Sequence, residues 1–337
     1  MQPPLVILAE TLKGKHLNLC SMAAQSTASP TDPLPAGFQL EGYTIQNKVG
    51  GGGFGLVYLA HDAQGQAVAL KEYLPVGVVA RQGDGSVQPI TEADQGAFRY
   101  GMRCFFEEGR ALANLNHPNV VRVLNFFRAN NTVYMAMRYE QGDTLHRLIH
   151  AEPTTLLEPF ISAIFIPLLN GLREVHARKL LHLDIKPGNI FIRTDGSPVL
   201  IDFGSARQAL AHGPSAIAPM YTPGFAAPEL YKQRDRMGPW TDIYAIGASL
   251  YACLAKQGPP AADQRLEADT MVPAAQAYAG LYSEGFLNLI DEMLRLPDVD
   301  RPQSVFSVQK RLVELARQND QAKPNLMAIL RSRMGWS

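Results

Sequence analysis

The residues best able to do chemistry fall in one short stretch, His182-Leu183-Asp184-Ile185-Lys186-Pro187-Gly188-Asn189 followed by Asp202-Phe203-Gly204. Together they offer a candidate general base, a cation for phosphate and two side chains suited to a metal ion. Phosphoryl transfer asks little covalent help of a protein; it needs reactants held in line and negative charge neutralised. Taken singly, each piece has an ordinary explanation, because an H-x-D is commonly a turn with a capping aspartate and a D-F-G a loop. Their order and spacing, with further elements upstream, make the chemical reading the stronger one.

Upstream, Gly50-Gly51-Gly52-Gly53-Phe54-Gly55-Leu56-Val57 fits G-x-G-x-x-G-x-V between two strand-like runs. Glycines there let backbone N–H groups approach phosphates with no side chain intervening. A flexible hairpin is the plain alternative. Four adjacent glycines lose much conformational entropy on folding, however, and a purely structural turn gains little from them. A dinucleotide-binding fold would place a helix straight after the loop, whereas a strand follows here. Val68-Ala69-Leu70-Lys71 then puts a lysine on the third strand. It is either a surface cation or a phosphate ligand steadied by a helix carboxylate. Glu107 and Glu108 are the candidates for that carboxylate, and Glu108 is preferred because Leu112, one turn on, shares its face and points to the core.

These residues need elements to position them. Tyr43–Val49, Leu56–Ala60, Ala67–Lys71, Val120–Arg128 and Thr132–Tyr139 read as strands, and Phe98–Leu115 as a helix with Phe105, Leu112 and Leu115 on its buried stripe. Beyond Gly142 the pattern is mostly helical: Thr144–Ile149, Leu157–Ala177, Ala227–Lys232, Thr241–Ala255, Phe286–Leu294 and Gln303–Gln318. The expected fold is α+β and bilobal, a small antiparallel sheet with one main helix (37–141) followed by a larger helical lobe (142–318). Residues 1–36 end in the Ser/Thr/Pro-rich Ser26–Pro35 and read as a disordered lead-in. Met22 is an alternative first residue, and the sequence does not choose between it and Met1. Residues 319–337 form a tail.

The chain has 337 residues, 18% charged and 46% hydrophobic, which suits a soluble globular protein. Lys+Arg and Asp+Glu both number 31, so no overall field draws it to nucleic acid or anionic membranes. Cys20, Cys104 and Cys253 are few and widely spaced, which argues for a reducing compartment and against a disulfide framework. The apolar run Phe160–Leu169 holds a Ser and a Pro and is too short to span a bilayer. Without a basic stretch before Leu5–Ala9, a secretory signal is not expected. The expectation is therefore cytoplasmic, with no transmembrane segment and no nucleic-acid partner; oligomeric state is left open.

From Tyr43 to Leu315 these motifs resemble the protein kinase family: the glycine loop, Lys71, Glu108, the His182–Asn189 loop, Asp202-Phe203-Gly204, Ala227-Pro228-Glu229, Asp242 and Arg301-Pro302. The texture of Lys71–Pro75, His117–Val121 and Val199–Gly204 is similar to the bacterial eukaryotic-like serine/threonine kinases. The resemblance implies ATP and Mg²⁺ as cofactors and Ser/Thr hydroxyls of proteins as acceptors. It implies that Asp184 takes or orients the hydroxyl proton, that Lys186 neutralises the γ-phosphate, and that Asn189 and Asp202 hold Mg²⁺. The nucleotide would meet Val49, Gly50, Gly51, Gly52, Gly53, Phe54, Gly55, Val57, Ala69, Lys71 and Glu108. Met137 would be the gatekeeper, the backbone of Arg138 and Glu140 the hinge, and Phe191 the floor beneath the base. Thr222 and Glu229 belong to the substrate groove, His182, Phe203, Leu112 and Val123 to a spine joining the lobes, and Asp242 and the Glu229–Arg301 pair to architecture.

Two departures stand out. Leu183 occupies a position where many kinases carry an Arg whose charge awaits a phosphate on the activation segment. The expectation is that the 202–229 segment works without phosphorylation, Ser205, Ser215, Tyr221 and Thr222 being ordinary loop hydroxyls. Lys71 and Glu108 are also 37 positions apart, nearly twice what the lobe needs. Val78–Arg81 and Ser86–Ile90 around Gln82-Gly83-Asp84-Gly85 read as an extra hairpin, either bracing the helix or docking a partner. The tail Ala322–Trp336 carries Leu326, Met327, Ile329 and Leu330 and is expected to pack back on the domain, with a partner or membrane-surface contact as the alternative. Two other functions stay in view: a nucleotide-binding scaffold without transfer, and a kinase-like phosphotransferase for small molecules.

Overall fold

The computed structural model describes residues 32–151, 156–203, 222–232 and 234–319. In chain order the first lobe comprises β1 (Gln39–Leu40), β2 (Tyr43–Gly52), β3 (Gly55–His61), β4 (Ala67–Tyr73), β5 (Val79–Arg81), β6 (Val87–Pro89), helix α1 (Asp94–Ala113), β7 (Val123–Ala129) and β8 (Thr132–Arg138). Six of the strands make one antiparallel sheet in the order β1-β2-β3-β4-β8-β7, and β5 and β6 pair only with each other. β8 is buried along nearly its whole length, because α1 covers one face of the sheet and the β5–β6 hairpin with residues 32–38 covers the other.

That cover corrects the expected lead-in. Leu34 is buried, and its N–H donates to the Tyr58 hydroxyl at 3.2 Å, so packing begins before residue 37. Tyr58 and Leu70 on the outer face supply the apolar surface that demands it. Residues 1–31 and the tail Ala322–Trp336 lie outside the described residues. Helix α1 starts four residues earlier than Phe98, with Asp94 in its first turn where the helix dipole favours an acid. The strand expected from Val120 begins at Val123. Residues 119–121 are taken instead by Leu200, which donates to the Asn119 carbonyl and accepts from the Val121 N–H, both at 2.9 Å.

The second lobe contains β9 (Gly142–Thr144), α2 (Leu145–Ala151), α3 (Glu158–Ala177), β10 (Ile190–Arg193), β11 (Pro198–Leu200), α4 (Pro228–Lys232), α5 (Pro239–Ala255), α6 (Ala262–Glu267), α7 (Ala274–Ala277), α8 (Glu284–Met293) and α9 (Val305–Gln318). The three-stranded sheet β11-β10-β9 corrects the mostly helical expectation. Its signal was present: two short apolar runs flank Thr194-Asp195-Gly196-Ser197, and Gly196 has the positive φ of 85° that a tight turn uses. Helix starts shift by two residues to their caps. Ser283 accepts from the Phe286 N–H ahead of α8, Ser304 from the Ser307 N–H ahead of α9, and Pro239 opens α5. Helix α5 is the centre of this lobe, with Ile243, Tyr244, Ile246 and Leu250 all fully buried. Among the described residues no helix is long and apolar enough to cross a membrane. Cys104 and Cys253 are free thiols.

Candidate active site

The loop His182–Asn189 leaves regular structure after α3 and is fixed from below by one carboxylate. Asp242, fully buried on α5, accepts the N–H groups of His182 (2.9 Å) and Leu183 (2.8 Å) and meets His176 Nε2 at 2.8 Å. Burial alone would raise the Asp242 carboxyl; the His176 hydrogen bond and the surrounding donors hold it below its ordinary range instead. Two non-glycine residues near the centre carry positive φ, Leu183 and Asp202, each at 64°. Such backbone is costly for a leucine and persists only where neighbours over-determine it, as the Asp242 carboxylate does here. His182 accepts the Asp184 N–H at Nδ1 (3.3 Å) and donates from Nε2 to the Ile201 carbonyl (3.1 Å), the neutral tautomer. Burial pushes its pKa down. Its ring lies 4.3 Å from Phe203, centroid to centroid. Leu112 and Val123, the other expected spine members, are both buried.

The side chains expected to act together do meet. Asn189 Nδ2 donates to the Asp184 carbonyl (2.8 Å) and to Asp184 Oδ2 (2.7 Å). Lys186 Nζ reaches Asp184 Oδ2 at 3.0 Å and Thr222 Oγ1 at 2.8 Å, and Thr222 Oγ1 donates to Asp184 Oδ1 at 3.3 Å. Asp184 is thus a carboxylate aimed by three neighbours. Committing the Asn189 amide nitrogen to Asp184 turns Oδ1 the other way. With the Asp202 carboxylate it makes a pair of hard oxygen donors, the chemistry that magnesium takes.

Lys71 arrives from the other lobe and forms an ion pair with Asp202, its partner 131 positions along the chain. Cross-strand register explains its setting. Val57 pairs with Lys71 and Ala69 with Met137, so Val57, Ala69, Lys71 and Met137 share one face of the sheet. Of the two candidate helix acids, Glu108 is buried, while Glu107 is exposed and pairs with Arg110. The glycine loop is the tip of the β2–β3 hairpin, with Gly50 opposite Val57 and Gly52 opposite Gly55. A Cβ at Gly55 would lie 2.0 Å from the Glu72 carbonyl, so only glycine fits. Val49 at the start of the loop is about half exposed.

At the hinge, the Arg138 N–H is already held by the Arg122 carbonyl at 2.9 Å, so a contact from Arg138 to a base would use its own carbonyl. The Glu140 carboxylate is gripped bidentately by Arg193 of β10 (2.7 and 2.9 Å), which leaves Glu140 its backbone for a ligand. Phe191 sits two residues before Arg193, paired with Thr144 and Val199. Arg193 had no signature in the sequence, since its importance comes from pairing with Glu140 in the linker between β8 and β9. Below the cleft Glu229 is buried between Arg301, at 2.9 Å through both guanidinium nitrogens, and Thr241 Oγ1 at 2.7 Å. Gly204, Ser205, Ser215 and Tyr221 lie outside the described residues.

A family model described as "Protein kinase domain" matches residues 43–312. The chain belongs to the protein kinase family. Mouse serine/threonine-protein kinase Nek1 is 29% identical over 293 residues, covering 86% of this chain and 23% of its own length. Serine/threonine-protein kinase PknL of Mycobacterium tuberculosis is 30% identical over 74% of this chain and 59% of its own. This kinase chain therefore spans about a quarter of the first of those relatives and under two thirds of the second. The solved structure titled PpkA-294 apo form is 35% identical, covers 83% of this chain and 99% of its own, and superposes with a TM-score of 0.77. The Mycobacterium tuberculosis PknI kinase domain, at 22% identity and a TM-score of 0.63, shares the fold. Residues 43–312 are thus a protein kinase domain, and the curated relatives it matches are serine/threonine kinases.

Proposed function

We propose that this domain transfers the γ-phosphoryl group of ATP to Ser and Thr hydroxyls of protein substrates, with Mg²⁺. One observation carries the proposal: Lys71 from the sheet, Asp202 from the segment after β11, and the Asp184–Lys186–Asn189–Thr222 cluster converge on a single cleft. Asn189 and Asp202 would hold Mg²⁺, whose charge when bound offsets that of the phosphates. Lys71 supplies a second cation from above. Val57, Ala69 and Met137 line the sheet face that would cover the base, with the Arg138 carbonyl and the Glu140 N–H at its edge and Phe191 below. With Mg²⁺ held by Asp202, Glu108, buried on α1, would be the carboxylate that steadies Lys71.

Asp184 does the proton work. Its carboxylate accepts hydrogen bonds from Asn189, Lys186 and Thr222, which fix its direction and leave a substrate hydroxyl to approach an oriented base. Lys186 lies between Asp184 and Thr222, placed to neutralise the phosphoryl group as it moves, and Thr222 borders the acceptor groove with Glu229 behind it. Leu183 needs no neutralising phosphate, so the domain works without activation-segment phosphorylation. A cytoplasmic location with protein substrates, rather than nucleic acid, completes the reading.

The test is transfer of label from ATP and Mg²⁺ to a Ser/Thr peptide. Asp184→Asn should lower the rate by roughly 10²–10⁴-fold. Equal label in both proteins, or none in either, would favour a nucleotide-binding scaffold. Phosphatase treatment should leave wild-type activity unchanged; its loss, with recovery on autophosphorylation, would refute independence from the segment.

A further inference from the structure

The stretch between β4 and α1 is longer than a connection requires, and its start does something specific. The Leu74 N–H donates to the Phe54 carbonyl at 3.0 Å, and the Val76 N–H donates to the Gly53 carbonyl at 2.8 Å. Both carbonyls at the tip of the glycine loop are thus held by the chain just past Lys71. A peptide group is planar, with C=O and the next N–H on opposite sides. Fixing the Gly53 and Phe54 carbonyls toward residues 74–76 therefore turns the Phe54 and Gly55 N–H groups the other way. The two peptide planes at the tip are thereby fixed, while Gly50, Gly51 and Gly52 are held by their pairing with β3.

The tether is itself anchored. Pro75-Val76-Gly77-Val78 closes a turn, with the Val78 N–H on the Pro75 carbonyl at 3.2 Å and Gly77 at φ 78°. The hairpin that follows delivers Arg81 to Glu72, a fully buried carboxylate that also accepts the Tyr58 hydroxyl at 2.8 Å and the Tyr134 hydroxyl. Arg81 further binds the Asp32 and Gly85 carbonyls, at 2.7 and 3.0 Å. Strand alternation sends Glu72 and Lys71 to opposite faces of β4. The hairpin therefore grips the back of the strand whose front carries the lysine.

We propose that residues 74–89 are a positioning element for the phosphate clamp. The Val76 N–H holds the glycine tip in its nucleotide-ready form, and Arg81 holds the strand beneath it. The inference rests on the phosphoryl-transfer reading above and names the regulation of that site: whatever displaces the hairpin loosens the grip on ATP.

Val76→Pro tests it cleanly. Val76 is half exposed, and the position it occupies, second in a turn with Gly third, is one that proline favours, so the substitution deletes a single N–H from compatible backbone. Val76→Ala, which keeps the N–H, is the matched control. In the nucleotide-free protein, exchange of the Leu74 amide, which the same loop tip protects, should quicken about three- to tenfold in Val76→Pro and not in Val76→Ala. KM for ATP should rise by a similar factor with KM for the peptide unchanged. Equal exchange in the two variants overturns the tether, and faster exchange with unchanged KM for ATP overturns its role. Wild-type protein that neither binds nor uses ATP would overturn the kinase reading and the nucleotide half of this inference, while the exchange comparison still decides whether the tip is held.

Discussion

The two lobes hold their reactive residues by different means. In the larger lobe the anchor is a core helix. Asp242 of α5 fixes the backbone of His182 and Leu183, and Trp240 and Thr241 of the same helix, through the Trp240 carbonyl and the Thr241 hydroxyl, join the Arg301–Glu229 pair. In the smaller lobe the anchor is an accessory hairpin, whose Arg81 reaches Glu72 behind Lys71 and whose stem ties the glycine tip. An anchor on a core helix cannot move without the lobe moving. An anchor on a hairpin can, because the sheet pairings around β4 do not pass through it. The smaller lobe is thus the adjustable half of the cleft.

Breaking each anchor should separate them. Arg301→Met strips Glu229 of its buried cation and frees the carbonyls of Arg295, Trp240 and Leu296 that Arg301 also binds. An uncompensated buried charge of this kind costs about 3–5 kcal/mol, and urea unfolding should show it as a strongly lowered midpoint. Arg81→Met should cost less, about 2–3 kcal/mol, because Glu72 keeps two tyrosine donors. Its signature is a fold that survives while ATP affinity drops. If Arg81→Met proved the more disruptive of the two, the assignment of adjustable and fixed halves would be reversed.

The same contrast governs what could be read in advance. Lys71, Asp184, Lys186, Asn189, Asp202, Asp242, Glu229 and Arg301 were legible because each needs its residue type at a fixed place in a motif, and the structure brings them together as expected. Alternation and helical period located β2–β4, β8, α3 and α5 to within a few residues. Glu72 and Arg81 were not legible. An acid next to a lysine reads as surface charge, and only the hairpin's path across the sheet buries it. Leu34 was hidden for a related reason: a polar, proline-rich stretch gives no hint that a sheet face needs covering. Val120–Val121 looked like strand because it is apolar, yet its partner is Leu200 in the other lobe.

Acid should find the larger lobe's anchor first. His182 is buried with its pKa pushed down, so the folded state binds a proton less readily than the unfolded chain. Stability should therefore be full above the unfolded histidine value of about 6.5 and fall as pH drops below it. Asp242, held below its ordinary range, adds a further loss only in stronger acid, near and below the usual carboxylate pKa. Urea midpoints at pH 7 and pH 5 measure the first effect. His182→Phe should flatten the difference, and an unchanged slope in that variant would place the acid-sensitive group elsewhere.

The smallest expected effect is also the sharpest probe of the smaller lobe. Tyr73, one residue past Glu72, is fully buried with its ring 5.8 Å from Phe98 and 5.7 Å from Phe105, and its hydroxyl has no hydrogen-bond partner among the described residues. Burial pushes that hydroxyl's pKa up. A buried orphan donor carries a desolvation cost with nothing to offset it, whereas the neighbouring tyrosines Tyr58 and Tyr134 spend theirs on Glu72. Tyr73→Phe keeps both ring contacts and removes only the orphan oxygen. It should be neutral or stabilising by up to about 1 kcal/mol. Tyr134→Phe, by contrast, takes a donor from a buried carboxylate and should destabilise by about 1–2 kcal/mol. The two substitutions are chemically identical and sit on paired strands. A loss in Tyr73→Phe comparable to that in Tyr134→Phe would mean the Tyr73 hydroxyl has a partner such as buried water.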